Sequence, residues 1–127
     1  MSCLGFKNLN VLGNMLKVPW SPRLIAVFKW LLVRYNADQI LITSAWRMGD
    51  PGIHGVIPLR AIDIRSTGFN NAVDTVNDIN DNFIYDPDRP EMKVAIYHNV
   101  GRGWHIHIQV HPKTMWINHE KQIGEKE

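Results

Sequence analysis

The sequence predicts an α+β fold, a mainly antiparallel sheet with helices packed against it, on three observations. Two segments, "WSPRLIAVFKWLLVRYNAD" and "NNAVDTVNDINDNF", place apolar residues three and four apart, as helices with one buried stripe do. Others, "QILITSAWR", "LRAIDIRS" and "WHIHIQV", are rich in β-branched residues or alternate apolar with polar, the period of a strand. Finally, the Gly-rich "VGRG" joins "MKVAIYHN" to "WHIHIQV" as an antiparallel hairpin. A chain of 127 residues, 45% hydrophobic and 20% charged, is the size of one domain with a core of its own. That core is expected over residues 21–112, with a charged C-terminal tail beyond it.

The first helix has Ser21 as N-cap, Pro22 at its first position, and Leu24, Val27, Phe28, Leu31 and Leu32 on its apolar stripe. It is expected to end near Asn36, and the segment before it is only loosely patterned. "QILITSAWR" then leads to Ser44 and Arg47, and "MGDPGIHGVIP" is a loop held open by Pro and Gly. In "LRAIDIRS", Ala61, Asp63 and Arg65 share one face and Ile62 and Ile64 the other. The second helix carries Ala72, Val73, Val76, Ile79 and Phe83 toward the sheet, "YDPDRPE" is a loop, and the hairpin follows. The tail "KTMWINHEKQIGEKE" is expected to fray.

Composition narrows the chemistry. A single cysteine, Cys3, excludes an internal disulfide and a cysteine-based metal cage, so any metal must be held by His and carboxylates. The net charge of +2 comes from dispersed Lys and Arg, without the basic run that tracks a phosphate backbone, which argues against nucleic acid. No segment approaches the roughly 18 apolar residues of a membrane span, and the N-terminus lacks an apolar run of signal-peptide length. The expectation is a cytoplasmic chain without stable membrane association.

The hairpin's second strand poses the functional question. In Trp104–His111 the odd positions are polar, so His105, His107 and His111 share a face. Residues two apart on a strand sit roughly 6.5 to 7 Å apart, close enough for both imidazoles to meet one ion, or for one to bind while the other serves the chemistry. On the strand before the hairpin, Asp63 lies between two isoleucines, and a buried carboxylate needs a cation or several donors. His54 stands in the Gly-flanked loop just ahead. Two His and one Asp would leave the fourth position of tetrahedral zinc open, as in a catalytic site.

In order, "TSAWR…GIHG…PLRAIDIRS…WHIHIQV" resembles the LAS metallopeptidases, the group of lysostaphin-type peptidases, D-Ala-D-Ala metallopeptidases and the hedgehog signalling domain. The small phage peptidases that cut peptidoglycan stem peptides are the nearest in character, and the resemblance covers residues 40 to 111. It implies a LAS-type fold and Zn2+ held by His54, Asp63 and His107. His105 becomes the ancillary catalytic imidazole, while Arg47, with Ser44 nearby, faces the substrate carboxylate. The lack of an apolar run of signal-peptide length fits a phage-encoded enzyme released to the cell wall at lysis, and fits an ordinary cytosolic protein equally well.

Two departures stand out. The interval from His54 to Asp63 is longer than in the D-Ala-D-Ala branch, so "VIPLR" must bulge or loop. That branch also places a Glu shortly before the final His as general base, whereas "NVGRGW" holds no acid. His98, Tyr97 and Asp50 are the candidates to replace it. Should the turn run from Asn99 to Gly103, Tyr97 opposes His105 and joins the metal face; a one-residue change would bring in His98 instead. Some lysostaphin-like branches use two imidazoles, which points to His98, while Asp50 before Pro51 reads as a turn residue. Arg47 has an alternative reading as a salt bridge to Asp50 or Asp63. Without a base, the chain would be a zinc-binding, hedgehog-like domain serving as a virion or binding component. Without a metal, the histidine face is simply wet.

Overall fold

A computed structural model describes residues 4–117 apart from 100 and 102. Along the chain run β1 (Gly5–Phe6), α1 (Leu9–Leu16), α2 (Pro22–Arg34), β2 (Leu41–Ser44), β3 (Ala61–Arg65), α3 (Ala72–Asn82), β4 (Phe83–Ile84), β5 (Ala95–Asn99), β6 (Trp104–Gln109) and β7 (Met115–Trp116). Five strands form one sheet in the order β1-β2-β3-β6-β5, with only β1 to β2 parallel, while β4 and β7 make a separate antiparallel pair. The architecture is therefore α+β with a mostly antiparallel sheet.

Helix α2 starts as its sequence requires. The Ser21 hydroxyl accepts from the Arg23 amide at 3.2 Å and Pro22 spends no amide in the first turn. It stops at Arg34, short of Asn36, because Tyr35 is already extended. Arg34 Nε and the Tyr35 hydroxyl both donate to Asp78 of α3, at 2.8 and 2.7 Å, which pins the helix end.

The alternation in the central strands separates the two sheet faces cleanly. Ile62, Ile64, Ile106 and Ile108 are at most 1% exposed and join Leu24, Val27 and Leu31 of α2 and Ile79 of α3 in one core. Each such side chain contributes about 1.5–3 kcal/mol by burial. The other face of β3 and β6 presents Asp63, Arg65, His105 and His107. With one face committed to the core, a one-residue slip would turn these polar groups into the apolar core, so the register between these strands is fixed.

The core extends past both expected limits. Met15 of α1 is fully buried and Phe6 and Val11 pack against the core, so the first segment belongs to the fold. The first residues of the tail, expected to fray, instead pair through β7: Trp116 stacks on Phe83 of β4 at 5.8 Å, and the Thr114 hydroxyl donates to the Tyr85 carbonyl. Residues 118–127, His119 among them, lie outside the described part.

Candidate metal centre

Three elements converge on the polar face of the sheet. Asp63 of β3 and His107 of β6 are direct cross-strand neighbours. His54 comes from a 3₁₀ turn, Ile53–Gly55, that folds down beside them. That turn is seated by its backbone: the Arg47 amide donates to the His54 carbonyl at 2.7 Å, and a Cβ on Gly55 would run into the Asp50 carbonyl. Residues 56–60, the interval that is long for the resemblance, loop between turn and strand and bury Leu59 in the core.

His54, Asp63 and His107 are 5, 8 and 7% exposed, and one potential ligand atom from each lies within 4.8 Å of the others. With both rings neutral, their hydrogen bonding is short of protons. His54 Nδ1 is 2.7 Å from the Ala45 carbonyl oxygen and its Nε2 is 3.3 Å from Asp63 Oδ2. His107 Nδ1 is 2.8 Å from Asp63 Oδ1, and its Nε2 is 3.1 Å from Gln109 Oε1. Every facing atom is an oxygen acceptor, yet two neutral imidazoles bring only two protons to four contacts. Two ring lone pairs thus face oxygen in a buried place, an arrangement that a cation at the centre relieves.

Asp63 is an anion here. Burial pushes its pKa up, but when the two rings carry both protons, hydrogen bonds from His107 and then His54, with the charge of those protonated rings, outweigh burial and hold it well below the usual carboxylate range. A buried anion flanked by two nitrogen donors suits a divalent metal ion and is compatible with zinc.

The remaining predicted residues fall around this centre. His105 Nε2 lies 3.8 Å from Asp63 Oδ1, outside direct hydrogen bonding, while its Nδ1 is 3.3 Å from the Gly103 carbonyl. His98 opposes His105 across the hairpin, the rings 4.5 Å apart, with the His107 ring at 5.6 Å. This corrects the register in which Tyr97 would face the metal: Tyr97 opposes Ile106 and packs against the core. The turn is one residue shorter than the Asn99–Gly103 alternative because Asn99 itself pairs with Trp104. Its Oδ1 accepts from the Gly101 and Gly103 amides, and both glycines take the positive φ such a turn needs.

The Nε2 of His98 is buried and has no hydrogen-bond partner among the described residues. Burial, then the neighbouring charges of His105 and His107, push its pKa down, which favours the neutral base.

Asp50 is not at the centre. Its Oδ1 accepts from the Gly52 amide at 2.7 Å as a turn residue does, and its Oδ2 is 3.1 Å from Arg47 Nε, in ion-pair range but off the angle of a hydrogen bond. That contact is one of the alternatives expected for Arg47. The Arg47 side chain is nevertheless 42% exposed and lines the cleft over the centre, as does Ser44, whose strand neighbour is Asp63. Trp104 lines this cleft too, whereas Trp46 is buried in the core.

The cleft, about 680 Å³, also takes in Lys7, Thr43 and Arg65. Arg65 was legible from its place two residues beyond Asp63; Lys7 arrives through the parallel β1–β2 pairing, which leaves no local trace in the sequence. Gln109, two residues past His107 on the same face, is the neighbour that sequence reasoning passed over. No helix among the described residues is long and apolar enough to cross a membrane. No protein-family model matches the chain, and comparison with curated proteins and with solved structures finds no match either.

Proposed function

We propose that the protein is a zinc peptidase acting on peptide bonds of peptidoglycan stem peptides, with a LAS-type arrangement of its site. The observation that carries this reading is the buried group of His54, Asp63 and His107, whose ring nitrogens all face oxygen atoms, at the floor of an open cleft. The order of Ser44, Arg47, His54, Asp63 and the His105–His107 pair, which resembles those peptidases, supplies the substrate class.

His54, Asp63 and His107 would hold the zinc, which when bound supplies Lewis acidity that polarises a carbonyl and acidifies an attacking water. His98, whose Nε2 has no partner among the described residues and whose lowered pKa favours the neutral ring, accepts the proton of that water and returns it to the leaving amine. His105, at the rim of the centre, donates to the oxygen on which charge develops. Arg47 keeps its exposed side chain available to a substrate carboxylate, with Asp50 setting its direction.

Metal analysis of the purified protein combined with mass spectrometry of digested muropeptides tests this reading. About one zinc per chain with new stem-peptide termini is the expected result, and His107→Ala should lose the metal. Zinc without cleavage, across pH and metals, would leave the non-catalytic binding domain; undiminished zinc in His107→Ala would overturn the ligand assignment.

A further inference from the structure

A metal-binding histidine must present a bare nitrogen, and which of its two nitrogens is bare depends on what the other one meets. For His54 the matter is settled by backbone: the Ala45 carbonyl can only accept, so Nδ1 keeps the proton and Nε2 faces the centre. His107 has no backbone partner. Its Nδ1 faces Asp63 and its Nε2 faces the side chain of Gln109.

An amide side chain offers either a donor or an acceptor according to how it is turned. In Gln109 the turn is fixed from behind. Its Nε2 donates to the Lys93 carbonyl at 2.9 Å, and a carbonyl cannot take the place of a donor there. The oxygen end is therefore the one directed at His107. The residue has little freedom to rearrange, being 6% exposed, with its backbone amide bonded to the adjacent Val94 carbonyl at 2.8 Å.

We infer that Gln109 is a positioning residue of the metal centre: locked by the Lys93 carbonyl, its amide oxygen holds the His107 proton on Nε2 and so commits Nδ1 to the cation. The inference rests on the metal-binding reading above and adds the element that sets coordination. The chain Lys93 carbonyl, Gln109 amide, His107 ring would also restrain ring rotation, so the ligand is aimed before the metal arrives.

The test uses the intact protein. Long-range 1H–15N correlation of the wild-type zinc form should show His107 protonated at Nε2 and metal-bound at Nδ1. Zinc competition against a chromophoric chelator then reads affinity in two variants. Gln109→Leu, which removes the acceptor, should weaken zinc by about 10- to 100-fold, the usual effect of losing such a partner. Gln109→Glu keeps an acceptor at the same reach but loses the donor to the Lys93 carbonyl, and should weaken zinc by less than about tenfold.

Zinc bound through His107 Nε2 would overturn the inference while leaving the metal centre standing. So would Gln109→Leu binding zinc as wild type does, or Gln109→Glu losing as much as Gln109→Leu. Should Gln109→Leu fail to fold, the wild-type spectrum and Gln109→Glu decide the matter. A wild-type protein that takes up no zinc would overturn the metal centre itself, and Gln109's role with it.

Discussion

Replacing Asp63 by Asn should affect the metal-free and metal-bound protein in opposite directions. With both imidazoles neutral, four ring nitrogens face oxygens of Ala45, Asp63 and Gln109 while only two ring protons are present. An unmet buried contact of this kind costs about 1–3 kcal/mol. The amide of Asn can donate to one bare nitrogen and remove a buried charge, so metal-free Asp63→Asn at pH 8 should be more stable by about 1 kcal/mol, at the low end of that range. For a domain of 127 residues this raises Tm by roughly 3–5 °C. Zinc reverses the ranking. At a hundred times its Kd a ligand stabilises by about 2.7 kcal/mol, or roughly 8–13 °C here, and Asp63→Asn should forfeit most of that gain with its anionic ligand. Thermal denaturation of both proteins in chelator and in zinc measures all four values. A metal-free variant that melts well below wild type would refute the proton count, and an undiminished zinc shift would refute the role of Asp63.

The other expectations concern the cleft and its supports. His98→Ala should keep its zinc and lose about 10²- to 10⁴-fold in kcat, the usual contribution of a general base. Because burial and neighbouring charges lower the His98 pKa, the unprotonated base persists to lower pH, so the acidic limb of wild-type kcat/KM should fall below the roughly 6.5 of a free imidazole; a limb above that value would point to another base. Arg47→Ala should raise KM for peptides ending in a free carboxylate and leave amidated ones nearly unchanged; an equal effect on both would show that Arg47 only braces the loop through Asp50. Gly55→Ala, whose Cβ would strike the Asp50 carbonyl, should cost about 1–3 kcal/mol of stability and weaken zinc through displacement of His54; denaturant titration with the same chelator competition checks both.

The parts of this fold that sequence reveals are those whose partners are one helical turn or two strand positions away. Ser21, Pro22 and the apolar stripe specify α2, and the alternation of Ile62, Asp63 and Ile64 specifies which face of β3 meets the core. The elements it hides are short and paired at a distance. Strand β1 is two residues held by parallel pairing to β2, and β7 exists because Trp116 finds Phe83. Helix α1 escapes for a different reason. Leu9 and Leu16 are 82 and 74% exposed, so its apolar residues do not trace a buried stripe, and the Asn8 side chain capping Val11 is its only strong local signal.

The same division runs through the candidate centre, and the hairpin shows why. Alternation alone places His105 and His107 on one face, but it cannot say which residue of β5 stands opposite, because that depends on how many residues the turn consumes. A turn that begins after Asn99 puts His98 on the face of Asp63 and His107; one that begins at Asn99 would put Tyr97 there. The deciding signal is the side chain of Asn99, whose Oδ1 collects the Gly101 and Gly103 amides and so closes the turn from its last paired residue. Asn followed by glycines at positions two and four is a local pattern with a mechanical meaning. Gln109 illustrates the remaining limit. Its position on the metal face is legible from period two, but its role depends on the Lys93 carbonyl, a backbone atom of the strand's neighbour that no side-chain pattern announces. Spacing can thus place the residues of a candidate centre on one face, whereas the groups that decide how their side chains point arrive with the tertiary fold.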